Sequence, residues 1–256
     1  QNQWFPRSFN DWRFVLLVMI GSLAIFPDLG NATILFLVAL LMYSISGIAH
    51  RWFATILGVL TSLSFVSLST IKLVGVDKFS KIPVFGYVAK RFSAFFNPFD
   101  DVAGAGHQLA NSYYAMVNGG WFGLGLGNSI EKRGYLPEAH TDFVFSIVIE
   151  EFGFVGASLI LALLFFLILR IILVGVRAKD PFNSMVAIGI GGMILIQVFV
   201  NIGGISGLIP STGVTFPFLS QGGNSLLVLS VAIAFVLNID ASEKRAKLYS
   251  EYEAQL

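Results

Sequence analysis

Long apolar stretches dominate this sequence and restrict the folds that it can adopt. Because backbone polar groups in lipid must form hydrogen bonds within the chain, we expect each stretch to be an α-helix. None of them alternates apolar and polar residues as a membrane-barrel strand does. Six stretches approach the roughly 20 residues that cross about 30 Å of hydrocarbon: residues 12–26, 29–48, 52–74, 141–172, 182–208 and 224–239. The sequence therefore predicts an all-α polytopic membrane protein with about six transmembrane helices.

The composition supports a membrane protein and excludes several functional classes. Hydrophobic residues make up 55% of the chain and charged residues only 12%, with a formal net charge of +1. A basic tract dense enough to bind nucleic acid is lacking, so nucleic acid is not an expected partner. The sequence contains no cysteine, which excludes disulfides and thiolate chemistry.

The basic residues in short connections predict which ends of the helices face the cytoplasm. Under the positive-inside rule these residues mark the cytoplasmic side. Residues 75–140 and 209–223 then lie outside, the former as a large extracytoplasmic loop containing short helices. Residues 240–256 form a solvated cytoplasmic tail. The basic residues that indicate this orientation are Arg7, Arg13, His50, Arg51, Arg170, Arg177, Lys179, Lys244, Arg245 and Lys247.

Two adjacent carboxylates open the most polar part of the large loop. Asp100 and Asp101 follow Pro98 and precede a glycine-rich turn and a predicted helix over residues 108–117. A carboxylate at such a position can act as a general base. A helix cap or a solvated acidic turn explains the same spacing, and the residues alone leave both interpretations open.

The regions on either side of this helix are aromatic or glycine-rich. Residues 79–96 combine Phe with Lys81, Lys90 and Arg91, which is typical of a segment in the lipid headgroup layer. Such a segment either attracts lipid phosphates or serves only as an interfacial helix. The glycines of residues 121–129 mimic a nucleotide loop, but neither a preceding strand nor a closing Lys-Ser/Thr pair accompanies them. They predict instead a tight re-entrant path near the bilayer.

The next polar segment leads into the fourth apolar stretch. At about 100° per residue, Asp142, Ser146 and Glu150 fall on one side of a helix that Thr141 or His140 would cap. The spacing of Glu138 and His140 does not match a zinc helix motif. A loosely held Mg²⁺ or Mn²⁺ between a carboxylate and a substrate phosphate remains compatible with these residues.

Polar residues also occur within or beside the last two apolar stretches. Gln197 and Asn201 are one helical turn apart and are expected to form hydrogen bonds between helices. Residues 220–225 stand at the predicted N-terminus of the last helix, where unpaired N–H groups favour an anion.

Six short motifs, in this order, resemble the SEDS family of polytopic bacterial cell-wall proteins. The resemblance spans essentially the whole chain and is closer to members that act in cell division than to those that act in elongation. Such proteins have about ten spans, so we read residues 1–256, which begin with Gln1, as a single membrane domain from the C-terminal part of a larger bundle. The motifs are PDLG (27–30), NPFDDVAGAG (97–106), GLGN (125–128), YLPEAHTDF (135–143), EEFG (150–153) and PFLSQGGNS (217–225).

The resemblance implies that the protein is a peptidoglycan glycosyltransferase. Members of the family polymerise lipid II into glycan strands, and they work with a class B penicillin-binding protein and other membrane proteins of the division machinery. The implied location is the bacterial cytoplasmic membrane at the division septum, with the active site facing outward. Two alternatives are a lipid II flippase and a non-catalytic scaffold for the penicillin-binding protein.

The family's catalytic acid maps onto Asp101, which we expect to be the general base. A divalent cation, Mg²⁺ or Mn²⁺, is a candidate cofactor, and no metal-ligand set is predicted. Lys90, Arg91, Lys132 and Arg133 are the candidate cations for the diphosphate of the substrate. The remaining candidate substrate-binding residues are Glu138, His140, Asp142, Glu150, Ser220, Gly222 and Gly223.

Overall fold

The computed structural model describes residues 29–45, 86–104 and 106–253. These residues are helical or irregular, and no strand occurs within the three ranges. A 3-10 helix, Glu131–Arg133, lies between the third and fourth α-helices. The α-helices are α1 (Leu29–Ile45), α2 (Gly86–Phe96), α3 (His107–Gly119), α4 (Val144–Arg177), α5 (Pro181–Ile205) and α6 (Gly223–Glu253). The all-helical fold class is confirmed for this part of the chain.

Three of the described helices, α4, α5 and α6, are long and apolar enough to cross a membrane. They correspond to the predicted spans 141–172, 182–208 and 224–239. The apolar part of α1, Gly30–Met42, is shorter and belongs to the predicted span 29–48. The predicted spans 12–26 and 52–74 lie outside the described residues.

The structure brings the predicted connections together at two opposite ends of the bundle. At one end, the backbone N–H groups of Lys179 and Asp180 donate to the Glu243 carboxylate, at 3.1 and 3.4 Å. At the other end, the Gln221 N–H donates to the His140 carbonyl at 2.8 Å. The connections that precede and follow α4, α5 and α6 therefore lie at alternating ends of the bundle.

Helix α5 is the centre of the bundle, packed against α4, α1 and α6. Glycines allow α1 to approach it, since a Cβ at Gly192 would overlap the Leu41 side chain and one at Gly189 would lie 2.8 Å from the Met42 sulfur. The buried core between α4, α5 and α6 includes Phe216, whose ring stacks on Phe145 at 4.6 Å.

Helix α4 is interrupted at Gly153, where the backbone adopts φ 69° and ψ −179°. The glycine-rich segment 120–125 forms hydrogen bonds with the backbone groups that the interruption leaves without helical partners. Leu124 and Gly125 donate to the carbonyls of residues 150 and 151, each at 2.9 Å, and residues 154 and 155 donate to the carbonyls of Gly120 and Trp121 at 2.9 and 3.1 Å. The predicted single helix is therefore two helical segments, 144–152 and 154–177, and the predicted tight path of the glycines passes across the junction.

Candidate active site

Asp101 lies in a tight turn between α2 and α3. Its carbonyl accepts hydrogen bonds from the N–H groups of Gly104 and Gly106 at 3.1 and 3.0 Å. Its carboxylate covers Gly104 so closely that a Cβ there would overlap both carboxylate oxygens, and a Cβ on Gly106 would overlap the Pro98 carbonyl. The side chains of Asp100 and Asp101 are both exposed. The turn therefore holds the backbone of Asp101 in place and leaves its carboxylate accessible.

A histidine–asparagine pair joins the first turn of α3 to the 3-10 helix region. The Asn111 amide nitrogen lies 2.6 Å from the Tyr135 carbonyl and 3.1 Å from His107 Nε2. Since an amide nitrogen only donates, Nε2 is the acceptor in this arrangement. Flipping the amide would place two oxygens against one another at Tyr135. The pair anchors the start of α3, directly after the Asp101 turn.

The Glu150 carboxylate is fully buried and holds the segment 118–131 against α4 through hydrogen bonds. Oε1 accepts from Asn118 Nδ2 at 3.3 Å and from the Ile130 N–H at 3.1 Å. Oε2 accepts from the Ser129 hydroxyl and from the Glu131 N–H, the latter at 3.4 Å. Four donors converge on one anion, which is the compensation that a buried charge requires.

Two further charged groups lie beside Glu150. Lys132 Nζ forms a 2.5 Å ion pair with Glu151, which is buried. Glu131 is buried with Oε2 lacking any hydrogen-bond partner. Burial raises the pKa of the Glu131 carboxyl, and the negative charge of Glu150 raises it further. Sequence reasoning missed Glu131, because a Glu-Lys-Arg run in a loop is normally exposed.

A second cluster forms where residues 138–142 meet the segment between α5 and α6. Asn201 donates to the carbonyls of Asp142 and Val214, both at 2.6 Å. The Ser220 hydroxyl donates to the Thr141 carbonyl at 2.6 Å and accepts from the Phe216 N–H at 2.7 Å. The amide of Asn201 therefore joins α5 to two flanking non-helical segments and not, as expected, to another helix.

Asp142 is half-buried in this second cluster, beside a small cavity that Asn201 and Thr212 also line. Burial raises the pKa of the Asp142 carboxyl, and a hydrogen bond from the Thr141 hydroxyl opposes that rise. That hydroxyl lies 2.7 Å from Glu138 Oε2 and 3.0 Å from Asp142 Oδ1. Arg91 reaches the same region from α2, donating to the Ser211 carbonyl at 2.5 Å.

Comparison with known proteins identifies the family. A model of the FtsW/RodA/SpoVE group, described as cell cycle proteins, matches residues 3–245. The chain belongs to this family. It is 54% identical over 244 residues to the probable peptidoglycan glycosyltransferase FtsW of Lactococcus lactis, which covers 95% of the chain and 58% of that relative. The corresponding FtsW of Bacillus subtilis is 42% identical over 235 residues, with 92% and 56% covered.

Solved structures share the FtsW/RodA fold. A chain of a peptidoglycan synthase complex that coordinates polymerization and crosslinking gives a TM-score of 0.67 at 23% identity, covering 93% of this chain and 65% of that one. Thermus thermophilus RodA gives 0.53 at 24% identity, covering 91% and 58%. The chain thus spans little more than half the length of the curated FtsW relatives it matches.

The structure does not bring the predicted FtsW-type site residues together in one place. Asp101 is in the turn before α3; Glu150 and Lys132 belong to the buried cluster; and Asp142 and Ser220 belong to the second cluster. Arg133, Glu138 and His140 are exposed at the surface, and Gly222 and Gly223 are at the start of α6. Asp142 faces α5 and Glu150 faces the segment 118–131. The two residues therefore share no hydrogen-bond partner among the described residues.

The start of α4 differs from the prediction. The helix begins at Val144, and its N-cap residue, Phe143, provides no side-chain cap. The expected cap from Thr141 or His140 is therefore wrong. The hydroxyl of Thr141 lies instead against Glu138 and Asp142, and residues 138–143 form turns in which Glu138 adopts a positive φ of 56°.

Proposed function

We propose that the full-length protein is a peptidoglycan glycosyltransferase that polymerises lipid II into glycan strands during septal cell-wall synthesis. The curated names of the FtsW relatives support this activity. The structural observation that carries the proposal is the exposed Asp101 carboxylate, on a turn whose backbone is fixed by two hydrogen bonds to the Asp101 carbonyl and by the close approach of Gly106 to the Pro98 carbonyl. A general base must be accessible to the substrate and held in place by its surroundings.

The proposed reaction joins two lipid-linked sugars. The 4-hydroxyl of one sugar attacks the anomeric carbon of the growing strand, the bond from that carbon to the lipid diphosphate breaks, and Asp101 accepts the hydroxyl proton. The electron pair of the broken bond leaves with the diphosphate. Exposure of the carboxylate allows a sugar hydroxyl to come within hydrogen-bond distance.

Cations would stabilise the departing diphosphate, and the structure separates the candidates. Lys132 is already paired with Glu151, and Arg91 is bonded to the Ser211 carbonyl. Arg133 is exposed at the end of the 3-10 helix and is our preferred diphosphate ligand. The side chain of Lys90 lies outside the described residues.

The other predicted substrate-binding residues divide between contact and support. Glu138 and His140 are exposed and suited to contact the sugar or peptide of the substrate. Gly223 begins α6, and its N–H precedes the first helical bond, from Leu226 to the Gly222 carbonyl, whereas the Gly222 N–H donates to the Ser220 carbonyl at 2.8 Å. Asp142, Glu150 and Ser220 are engaged in internal hydrogen bonds and would hold these surfaces in place.

A divalent cation remains part of the proposal. Among the described residues, no three His, Cys, Asp or Glu side chains converge into a metal-binding group. The exposed carboxylate of Glu138 supplies an oxygen ligand of the kind that Mg²⁺ and Mn²⁺ take, with substrate phosphates completing the coordination. Such an ion would neutralise charge on the diphosphate.

The proposal also includes partners and location. A class B penicillin-binding protein would cross-link the strand, and other division proteins would bind the same assembly; the match to a chain of a peptidoglycan synthase complex is consistent with such a partner. The end of α4 and the connection to α5 contain the basic residues Arg177 and Lys179. Under the positive-inside rule, this end of the bundle would lie in the cytoplasm. The active site would then face outward at the septal membrane.

A lipid II flippase is the second candidate, and the interruption of α4 at Gly153 favours it, because broken helices are common in transporters. The two functions separate in detergent, where there is no second compartment. Purified full-length protein with its penicillin-binding partner and lipid II should yield glycan polymer, resolved by gel electrophoresis. Failure to form polymer under conditions in which lipid II is bound would contradict the polymerase.

A further inference from the structure

Three apolar side chains project from the glycine-rich segment that crosses the break in α4. Trp121, Phe122 and Leu126 are 68%, 83% and 75% exposed, and we call them the tryptophan tip. The ring of Trp121 meets Phe154 of α4 edge-on, with 5.5 Å between the ring centres. Phe154 is itself more than half exposed, so the tip and α4 present one continuous apolar surface.

The tip is held rigidly against α4. Four backbone hydrogen bonds join residues 120–125 to residues 150–155. Gly120, Gly123 and Gly125 have positive φ values of 50°, 78° and 95°, which turn the chain sharply and leave the larger side chains pointing outward. These bonds satisfy backbone groups at the helix break, as non-helical backbone at the edge of a membrane requires.

The length of α4 sets the level of the tip relative to a bilayer. The segment after the break, residues 154–177, contains 24 residues and so measures about 36 Å at 1.5 Å per residue. That length is sufficient to cross about 30 Å of hydrocarbon. The break, and the tip bonded to it, therefore lie at the membrane boundary on the side of the large loop.

The tip is also continuous with an exposed apolar face of α4. Val155, Leu159, Leu163 and Phe166 follow one another at helical spacing and are each at least half exposed. An exposed apolar face on a membrane-spanning helix packs against acyl chains or against another apolar helix. The tip extends that surface to the membrane boundary, where Trp is enriched in membrane proteins.

We propose that the tryptophan tip inserts into the leaflet next to the large loop, where phospholipid glycerol groups and upper acyl chains surround Trp121 and Phe122. The tip then anchors residues 118–133 at a fixed height, because Glu150 bonds this segment to α4. Helix α3 packs on α4 and begins just after the Asp101 turn, so the anchor also sets the height of that carboxylate. This inference does not depend on the proposed polymerase activity.

Fluorescence quenching by brominated lipid tests the insertion. The probe is full-length protein with Trp121 as its only tryptophan and all others replaced by Phe, reconstituted in phosphatidylcholine–phosphatidylglycerol vesicles whose lipids carry bromine in the upper part of one acyl chain. We expect about a twofold loss of emission relative to unbrominated vesicles, because Trp at the interface contacts these groups.

A matched control places the only tryptophan at the opposite end of the bundle. In a Trp121→Phe background, Tyr249→Trp puts an equally exposed ring in the part of α6 that follows its apolar segment. This position should keep its emission in brominated vesicles. Equal quenching at both positions, or unchanged emission of Trp121, overturns the proposal; in the latter case protein rather than lipid covers the tip. An unaltered thermal unfolding temperature shows that both variants are folded.

Discussion

Gly123 and Gly153 lie against one another so closely that neither position has room for a side chain. A Cβ on Gly153 would overlap the Gly123 nitrogen, and a Cβ on Gly123 would lie 2.5 Å from the Gly153 nitrogen. Both residues also have positive φ values, 78° and 69°. This contact is where the glycine-rich segment crosses the break in α4, and it determines how the large loop sits on the bundle.

Gly153→Ala should therefore destabilise the protein by about 3 kcal/mol or more, since it combines a backbone conformation that is essentially restricted to glycine with a backbone overlap. Gly127→Ala is the matched control, because Gly127 has a positive φ of 82° but open space around its Cα. It should cost on the order of 1 kcal/mol. Thermal unfolding of the full-length protein in detergent measures both, and equal losses would show that the Gly123–Gly153 contact is unimportant.

Replacing Glu150 with Gln should loosen the segment 118–131. The amide nitrogen of Gln would face two donors in place of a carboxylate oxygen, and loss of the charge weakens the remaining hydrogen bonds. We expect a cost of about 1.5–3 kcal/mol and faster proteolysis of this segment. Glu251→Gln, in an exposed ion pair far from this segment, also removes one carboxylate charge and should change stability by less than about 0.5 kcal/mol. If the two variants unfold at the same temperature, Glu150 does not organise the loop.

The buried Glu131 carboxyl predicts a pH-dependent stability. Because its pKa is higher in the folded than in the unfolded protein, the folded state holds the proton more tightly, and stability falls as the pH rises through the raised pKa. Glu131→Gln mimics the protonated acid and should raise the unfolding temperature by a few degrees at pH 8. The gain should vanish below the ordinary glutamate pKa of about 4.3.

An exposed glutamate provides the comparison for this pH experiment. Glu251 is more than half exposed in its ion pair with Lys247, so Glu251→Gln should change stability by less than about 0.5 kcal/mol across the same range. If the Glu131→Gln variant is no more stable than the wild type at pH 8, the ionised Glu131 carboxylate does not destabilise the folded protein.

Sequence patterns predicted the elements whose stability is local. The predicted helix 108–117 is observed as His107–Gly119, and the predicted span 182–208 as Pro181–Ile205. Asp180 caps the latter by accepting from the Asn183 N–H at 3.0 Å, with Pro181 in the first turn. Apolar length and capping residues are visible in sequence, which is why these boundaries are close.

Features that depend on distant contacts were not predicted. The break at Gly153 exists because residues 120–125 supply its hydrogen bonds, and one glycine in an apolar helix does not indicate such a partner. Burial of Glu131 depends on the same packing. One local feature was also missed: helix α6 continues to Glu253, well past the predicted end of the span at residue 239, and i,i+4 pairs such as Lys244 with Asp240, at 2.6 Å, support this extension.

Polymerisation by the Asp101→Asn variant tests the central claim most directly. Full-length protein with its penicillin-binding partner, given lipid II in detergent, should lose about 10²–10⁴-fold in the rate of glycan formation, the contribution typical of a general base. Asp100→Asn, at the adjacent and equally exposed carboxylate, should retain most of the rate. If Asp101→Asn polymerises at the wild-type rate while its folding and partner binding are intact, Asp101 is not the base.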